Sequence, residues 1–354
     1  MRLGLVGYGN GGRHFHAPYI AAADDVELAG VVVRAPERRA ELAADFPGVP
    51  AFTTLGDLLA SGVDAVTITT PPATRRELVL EAIAGGAHVI ADKPFAPTAD
   101  AARELVAAAA AAGVALNVYQ NRRWDADIRT LAAVLADGSL GQLWRIESRF
   151  DLDEPGGLDP GPHGGLVRDL GAHLVDQLIW LLGPVHTVHA QLDWVEQPAG
   201  RTDVGFTIAL EHASGARSRA TASKMNRNVE RELRAYGSGG SYIGHATDAQ
   251  TRAIFAGRRP AADGAAWGYE PESAWGVLRT ASGERRVPSA RGAYQDYYTQ
   301  FAAALRGDAP FPVPAEQAVR TIEVLDAARV SDREGRIVAL GSTQSPQGGG
   351  PVLD

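Results

Sequence analysis

The first third of the chain alternates short apolar runs rich in β-branched residues with alanine-rich stretches of helical period. The apolar runs predict strands at residues 2–7, 27–33, 64–70, 87–91 and 115–119. The periodic stretches predict helices near residues 12–23, 36–45, 54–61, 73–84 and 98–112. Strands that alternate with helices are typical of a parallel sheet covered by helices. The pattern therefore predicts a doubly wound α/β domain over residues 1–122.

A different pattern begins after residue 124. It predicts an amphipathic helix ending near residue 135, a strand at 142–150, a Gly/Pro/Asp-rich loop at 153–165 and a helix at 170–182. Alternating positions then predict strands at 185–195, 202–212, 216–223, 230–237 and 275–280, followed by helices at 293–306 and 315–330. This arrangement indicates an α+β domain over residues 123–340 with an open, mainly antiparallel sheet, whose uncovered face is suited to an interface. Residues 341–354 are predicted to be a disordered tail.

Composition narrows the possible functions. The 34 basic and 42 acidic residues give a net charge of −8 without a dense basic block, which argues against nucleic-acid or anionic-membrane partners. The absence of cysteine excludes disulfides, thiolate metal sites and a cysteine nucleophile. The longest apolar run, residues 105–116, is shorter than the ~20 residues that span a bilayer. The N-terminus enters a strand without a secretory signal pattern, so we expect a cytoplasmic protein.

The first strand leads directly into a G-x-G-x-x-G sequence, and the predicted helix follows at once. In this context the glycines allow a tight turn, a close approach of the backbone to a pyrophosphate and close packing of helix on strand. The sequence therefore predicts a dinucleotide-binding Rossmann domain. The loop residues expected to contact the cofactor are Gly7, Gly9, Asn10, Gly11 and Gly12.

The end of the second strand bears on the choice of nucleotide. An acidic residue there would bind the ribose hydroxyls of NAD, whereas arginine suits the additional phosphate of NADP. This chain has Arg34 there, followed by Arg38 and Arg39, so NADP(H) is favoured over NAD(H). The alternative is a solvated arginine face, because the chain contains 32 arginines and two lysines.

One of the two lysines, Lys93, follows the strand at 87–91 and precedes Pro94. Proline favours an extended conformation in the residue before it, so the lysine should leave the strand end, where ligands bind in open α/β sheets. Its ammonium could hold a substrate hydroxyl and stabilise an alkoxide during hydride transfer. The alternative is a surface lysine.

A second cluster opens the helix predicted at 170–182. If the segment is helical, Asp169 and His173 lie one turn apart on one face, and Asp176 follows three residues later. A histidine base could remove the hydroxyl proton of an alcohol, and a carboxylate could orient it. The alternatives are a helix N-cap for Asp169 and a structural role for His173. No metal site is expected, since His14, His16 and His163 lack metal-ligand spacing.

Taken in order, these motifs resemble the Gfo/Idh/MocA family of sugar and polyol oxidoreductases over about residues 2–340, and in particular its branch of NADP-dependent scyllo-inositol dehydrogenases. The resemblance rests on the glycine loop and six further segments: Phe15-His16-Ala17-Pro18, Thr70-Pro71-Pro72, Asp92-Lys93-Pro94, Asn121-Arg122-Arg123-Trp124-Asp125, Asp169 to Gln177, and Gly237 to Tyr242. The stretch Ala266-Trp267-Gly268 adds to the likeness with this branch.

The resemblance implies hydride transfer between C4 of nicotinamide and a secondary alcohol or ketone of a cyclic polyol, sugar or sugar derivative. It implies a catalytic set of Lys93, Asp169 and His173. It places Thr70, Pro71, Pro72, Asp92, Lys93 and Asn121 at the cofactor, and Arg123, Trp124 and Asp176 near the substrate; Asp176 could equally be a structural partner of the helix. A homodimer or homotetramer is the implied assembly. The same resemblance leaves two alternatives, a redox-neutral glycosidase-like enzyme with retained cofactor and a non-catalytic nucleotide-binding regulator.

Three positions depart from the family pattern: Asp92 stands where glutamate is usual, Arg75 where histidine is common, and Arg168 where tyrosine is frequent. We interpret Arg168, next to Asp169, as a substrate-binding residue whose guanidinium favours an anionic or strongly hydroxylated substrate. The second lysine, Lys224, is interpreted either as a surface lysine on an edge strand or as another substrate contact.

Overall fold

The computed structural model describes residues 1–161 and 164–341, and by their internal contacts these residues form two compact units. Each unit consists of three stretches of the chain. Unit 1 contains Met1–Trp124, Gln250–Trp267 and Ala293–Val319; unit 2 contains Asp125–Ala249, Gly268–Gly292 and the chain from Arg320 onward. The domain limits at residues 122 and 340 stay predictions. Most of the tail predicted at 341–354, namely the residues after Gly341, lies outside the described residues, and so does His163.

Unit 1 contains a six-stranded, fully parallel sheet in the order β3-β2-β1-β4-β5-β6. Its strands are β1 (Arg2–Val6), β2 (Glu27–Val32), β3 (Ala51–Phe52), β4 (Ala65–Ile68), β5 (His88–Asp92) and β6 (Leu116–Tyr119). The chain reverses its direction across the sheet between β1 and β4, which is where doubly wound folds bind ligands. The five predicted strands are present, and only the two-residue strand β3 was not predicted.

Unit 2 contains a nine-stranded sheet in the order β14-β13-β12-β11-β7-β10-β9-β8-β15, in which β7 and β10 are parallel and the other neighbours are antiparallel. Its strands are β7 (Leu143–Asp151), β8 (Val185–Val195), β9 (Thr202–His212), β10 (Arg217–Ser223), β11 (Glu230–Gly237), β12 (Gly240–His245), β13 (Gly276–Thr280), β14 (Gly283–Val287) and β15 (Val338–Ala339). The predicted open, mainly antiparallel sheet is confirmed; β12, β14 and β15 were not predicted.

The helices are α1 (Ala17–Ile20), α2 (Pro36–Asp45), α3 (Leu55–Ala60), α4 (Pro72–Ala84), α5 (Ala99–Ala112), α6 (Ala126–Ala136), α7 (Ala172–Leu182), α8 (Ala249–Phe255), α9 (Pro260–Asp263), α10 (Gln295–Arg306) and α11 (Ala315–Glu334). Short 3₁₀ helices occur at Asn121–Trp124, Pro155–Gly157, Gly264–Ala266 and Glu272–Ala274. Local sequence fixes several helix ends: Thr98 accepts a hydrogen bond from Ala101 N at the start of α5, and Gly113 ends that helix with a φ of +66°.

Two π-helical segments stand out because each leads directly into an α-helix. Gly11–His16 precedes α1 in unit 1, and Val167–Gly171 precedes α7 in unit 2. Such segments are rare and often occur at functional sites. Neither was predicted, since their hydrophobic pattern differs little from that of an α-helix.

The core of unit 2 lies between one face of its sheet and the helices packed on it, with buried Phe150, Leu174, Leu178, Phe206 and Leu325 among its members. The other face carries exposed polar residues, because side chains alternate along each strand. Among the residues described, no helix has both the length and the apolar character needed to cross a membrane.

Candidate active site

The glycine loop follows β1 and is shaped by backbone geometry. Gly7 has a φ of +103°, a conformation that side chains rarely adopt. A Cβ atom on Gly12 would lie 2.1 Å from the carbonyl oxygen of Gly7, so only glycine fits there. A Cβ on Gly9 would have no atom within 4 Å, so its backbone faces open space. The loop thus combines a sharp turn, close packing and an accessible backbone.

A cleft of about 590 Å³ lies beside this loop, entirely within unit 1. It is lined by the ends of β1 and β2, the start of α3 and part of α4, that is by Val6, Gly7, Tyr8, Gly9, Val32, Val33, Arg34, Ala35, Arg38, Thr53, Thr54, Leu55, Thr70, Leu78 and Glu81. Open glycine backbone and basic side chains in one cleft fit a dinucleotide, whose phosphates are anionic and need close backbone approach.

The three arginines after β2 have different surroundings. Arg39 donates to the carbonyl oxygen of Val33 at 3.0 Å and to Thr53 Oγ1 at 3.1 Å, which holds the chain between β2 and β3. Arg38 lines the cleft but forms an ion pair of 2.7 Å with Glu41. Arg34 lines the cleft and is exposed. Arg34 is therefore the arginine best placed to meet a phosphate in this cleft.

Asp92, the last residue of β5, lies beside the glycine loop. Its Oδ2 would be 3.6 Å from a Cβ on Gly11, and its Oδ1 accepts a hydrogen bond of 2.8 Å from the backbone N–H of Lys93. His16 Nε2 is 3.5 Å from Oδ2, and His16 Nδ1 is 2.7 Å from the Tyr298 hydroxyl. Burial opposes ionisation of Asp92, but His16, followed by Arg75 and Lys93, outweighs it and holds its pKa at about 2. Asp92 is therefore an ionised, partly buried carboxylate at neutral pH.

Arg75, at the departure from the family pattern, is 3% exposed and binds backbone carbonyls. Its guanidinium donates to the oxygen of Thr70 at 2.7 Å, to that of Asp92 at 2.8 Å and to that of Pro94. Burial lowers the pKa of Arg75, and the charge of Asp92 opposes that shift. The side chain thus ties the segment after β4 to the segment that carries Lys93.

The segment after β6 is also buried in unit 1. Arg123 lies on the 3₁₀ helix Asn121–Trp124 and donates to Gln317 Oε1 at 3.0 Å. The Trp124 ring meets the Tyr297 ring edge-on, with 5.4 Å between centroids. These residues and buried Asn121 belong to the same unit as Lys93, while their roles at cofactor and substrate stay predictions.

In unit 2, Asp169 lies within the π-helical segment and His173 in the first turn of α7. The residues at the cap positions of these two helices are Leu166 and Gly171, so the alternative of Asp169 as the helix N-cap is wrong. The helical region also begins earlier than the predicted residue 170. His173 is buried, whereas the Asp169 side chain is 33% exposed.

Lys224 follows β10, and its position shows that the surface-lysine interpretation is wrong. It is 5% exposed and donates to Asp169 Oδ2 at 2.8 Å and to the carbonyl oxygen of Gly157 at 3.1 Å. Sequence analysis missed this ion pair because its members are 55 residues apart. The only signal was the presence of lysine in a chain that uses arginine almost everywhere else.

Arg168 and Asp176 are both buried in unit 2. Arg168 forms an ion pair of 3.1 Å with Asp326, and burial followed by the charge of Arg329 lowers its pKa. Asp326 balances the charge of this guanidinium, and the role of Arg168 in binding an anionic or strongly hydroxylated substrate stays a prediction. Asp176 accepts a hydrogen bond of 3.4 Å from Thr321 Oγ1, which agrees with a structural role in the helix.

The structure thus groups the candidate residues by unit. The carboxyl ends of neighbouring strands in unit 1 carry the glycine loop, Arg34, Thr70, Asp92 and Lys93. Asp169 and its partner Lys224 belong to unit 2, as do His173 and Arg168.

Comparison with known proteins agrees with this arrangement. Residues 1–120 match the model of an oxidoreductase family with an NAD-binding Rossmann fold, and residues 128–243 match the GFO/IDH/MocA C-terminal domain. The oxidoreductase YdgJ of Escherichia coli K12 is 36% identical over 340 residues, which cover 92% of this chain and 94% of that protein. The NADP⁺-dependent scyllo-inositol 2-dehydrogenase IolW of Bacillus subtilis is 29% identical, with 96% of each chain covered.

A solved structure extends the similarity to the fold. The crystal structure of an oxidoreductase from Bacteroides fragilis is 33% identical and matches with a TM-score of 0.85 over 96% of this chain and 99% of that one. The same family is indicated by the parallel nucleotide-binding sheet, by the mixed second sheet and by the matched sequences. The chain belongs to the Gfo/Idh/MocA family and is an NAD(P)-dependent dehydrogenase or reductase.

Proposed function

We propose that the protein interconverts a secondary alcohol and a ketone of an uncharged cyclic polyol or sugar, with NADP(H) preferred over NAD(H). The observation that carries the proposal is the position of Asp92 beside the glycine loop, because Lys93, whose ammonium could bind a substrate hydroxyl, directly follows it at the end of β5. The name of the Bacillus subtilis relative supports both the substrate class and the nucleotide.

We propose that Lys93, Asp169 and His173, the catalytic set that the family resemblance implies, take part in this reaction. During alcohol oxidation, the substrate carbon loses a hydride, the hydroxyl oxygen loses a proton and a C=O bond forms. The bound nicotinamide supplies the hydride acceptor, or the donor in the reverse direction. The Lys93 ammonium would hold the substrate oxygen and stabilise its developing negative charge, while the His173 imidazole would accept the proton. Asp169 would keep the imidazole oriented toward that proton.

The preference for NADP(H) rests on Arg34. No carboxylate stands at residues 33–36, at the end of β2, to bind ribose hydroxyls, and the exposed guanidinium of Arg34 lines the cleft beside the glycine loop. An arginine can form two hydrogen bonds with a phosphate, which favours the nucleotide that carries the additional one. The roles of Gly7, Gly9, Asn10, Gly11, Gly12, Thr70, Pro71, Pro72 and Asn121 in holding the nucleotide belong to the same proposal.

We also propose a cytoplasmic homodimer or homotetramer that uses the open face of the nine-stranded sheet. A depression of about 400 Å³ lies on this sheet, and its lining includes Arg145, Glu147, Arg217, Arg219 and Ile337. Mixed charges around apolar surface are suited to a self-complementary contact. Sedimentation equilibrium would show a dimer or tetramer, whereas a monomer at micromolar concentration would contradict this part of the proposal.

The test is absorbance at 340 nm with NADP⁺ and, separately, NAD⁺ across scyllo-inositol, other inositols, aldoses, sugar acids and anhydrosugars. We expect activity with an uncharged polyol or sugar and a higher kcat/KM with NADP⁺.

The variant Arg34→Ala should raise the KM for NADP⁺ by roughly 10-fold and leave that for NAD⁺ within about 2-fold, because only the additional phosphate loses a partner. Equal effects on both nucleotides would contradict the assignment of Arg34. Absence of turnover, with nucleotide retained through gel filtration, would favour the redox-neutral or regulatory alternative.

A further inference from the structure

Lys224 is a buried charge that the proposed reaction does not yet use. Its ammonium lies where three elements of unit 2 meet: the end of β10, the 3₁₀ helix Pro155–Gly157 and the π-helical segment that carries Asp169. It donates to Gly157 O and to Asp169 Oδ2. One side chain therefore connects the carboxylate to two other segments of the chain.

Burial distinguishes this pair from an ordinary surface ion pair. Removing an ammonium from water is unfavourable unless hydrogen-bond acceptors replace the lost water. Exposed ion pairs, by contrast, contribute little to the stability of the fold. Lys224 is 5% exposed, whereas a third of the Asp169 side chain remains exposed. The carboxylate is therefore more accessible to a ligand than the ammonium is. The cation is placed to fix the carboxylate rather than to contact the ligand first.

The choice of lysine over arginine is consistent with the space around the ammonium. A Cβ atom added to Gly157 would lie 3.4 Å from Lys224 Nζ, so the neighbouring loop already packs close to it. A planar guanidinium is larger than an ammonium and would need more space beside this loop. The chain has 32 arginines and keeps lysine here, as it does at position 93.

We propose that Lys224 is a positioning residue for the dehydrogenase reaction, acting through Asp169. Its ammonium holds Oδ2 of Asp169, so that the carboxylate keeps one orientation throughout the reaction. The inference rests on the proposed role of Asp169. Because Lys224 acts behind the carboxylate, its loss should lower kcat while leaving substrate KM and nucleotide binding little changed.

The test compares Lys224→Met, which keeps the length and removes the charge, with Arg227→Met, which removes an exposed positive charge three residues away. NADPH formation from scyllo-inositol, or from the polyol or sugar that reacts fastest in the panel, gives kcat and KM, and fluorescence titration gives the Kd of NADPH. We expect Lys224→Met to lower kcat by about 30-fold with KM and Kd within about 3-fold. Arg227→Met should stay within about 2-fold in all three. Lys224→Met with a kcat within about 3-fold of wild type would overturn the inference.

A double-mutant cycle with Asp169→Asn tests whether Lys224 acts through the carboxylate. We expect Lys224→Met to lower kcat by less than about 3-fold further in the Asp169→Asn background, because the group it positions is already changed. A further loss as large as that in the wild-type background would overturn a role through Asp169. A structural defect alone would lower activity in both backgrounds and would also shift the KM and the Kd of NADPH.

The two proposals fail in different ways. If Asp169→Asn retains wild-type kcat, the proposed function of Asp169 is wrong; if Asp169→Asn loses activity and Lys224→Met does not, only the inference about Lys224 is wrong. Thermal unfolding confirms that each variant is folded. If Lys224→Met does not fold, Lys224→Gln replaces it in every comparison, since its amide can still donate a hydrogen bond without the charge.

Discussion

The glycine loop of unit 1 and the Asp169–Lys224 pair of unit 2 show two ways of building a functional group. The loop consists of six consecutive residues, and its shape follows from a positive φ at Gly7 and the lack of room for a Cβ at Gly12. The pair joins side chains that are 55 residues apart, one on a helical segment and one after a strand. The conformation of the glycine loop is determined by backbone sterics. The arrangement of the Asp169–Lys224 pair is determined by the need of a buried ammonium for a counter-charge.

This difference determines how each region should respond to substitution. A Cβ added at Gly12 collides with the backbone oxygen of Gly7, so even the smallest side chain is disruptive at that position. In the pair, removing the carboxylate leaves the ammonium without its counter-charge, and an ammonium alone in a buried position is unfavourable. Both regions contain a π-helical segment, so an irregular helix by itself does not distinguish them.

The largest effect is expected from Gly12→Ala. Its methyl group would lie 2.1 Å from Gly7 O and 3.0 Å from Thr69 Oγ1, so the turn would have to open. We expect the affinity for NADPH to fall by at least ~10²-fold, since the helix can no longer pack close to the strand. Fluorescence titration with NADPH measures this change.

Gly9→Ala is the matched control in the same loop. Its Cβ would have no neighbour within 4 Å, so we expect its thermal unfolding temperature to stay within about 1 °C of wild type. Its NADPH affinity should still fall, because the methyl group would occupy space beside the exposed backbone. Equal unfolding temperatures for Gly12→Ala and Gly9→Ala would show that close packing at Gly12 is not what shapes the loop.

The next effect concerns chemistry rather than binding. Lys93→Met removes the charge proposed to stabilise the alkoxide, and His173→Ala removes the proposed base, so each should lower kcat by at least ~10²-fold. The Kd of NADPH should remain within about 3-fold of wild type, in contrast to Gly12→Ala. Stopped-flow and steady-state kinetics with both nucleotides provide the measurement. Full activity in both variants would exclude these residues from the reaction.

The features that could be predicted from sequence are those that neighbouring residues determine. The parallel sheet follows from alternating strands and helices, and the glycine loop follows from its spacing directly after β1. Lys93 was predicted at a strand end because Asp92 and Pro94 flank it, and β5 does end at Asp92. In each case the signal lies within a few residues of the feature.

The features that sequence missed depend on residues that come together only in the folded chain. Lys224 acquires its role from Asp169, and the guanidinium of Arg168 is balanced by Asp326, which is 158 residues away. Strands β12 and β14 pair with β13, and β15 is a two-residue strand that pairs with β8. No local pattern identifies such partners, because side-chain charge and a short apolar run are compatible with many positions.

The smallest effect is expected at Arg75. This side chain connects segments that are up to 19 residues away in the sequence, within the parallel-sheet unit that the sequence predicted best. Arg75→Met would leave the carbonyl oxygens of Thr70, Asp92 and Pro94 without this donor. Hydrogen bonds from a buried guanidinium stabilise a protein, so we expect the unfolding temperature to fall by roughly 5 °C and kcat by about 10-fold, since the segment carrying Lys93 loses its anchor. Arg76→Met is the control, because Arg76 is exposed and pairs with exposed Glu104, and it should leave both values unchanged. If the two variants behave alike, the segment carrying Lys93 is held by local sequence alone, and the contrast between the two regions becomes sharper.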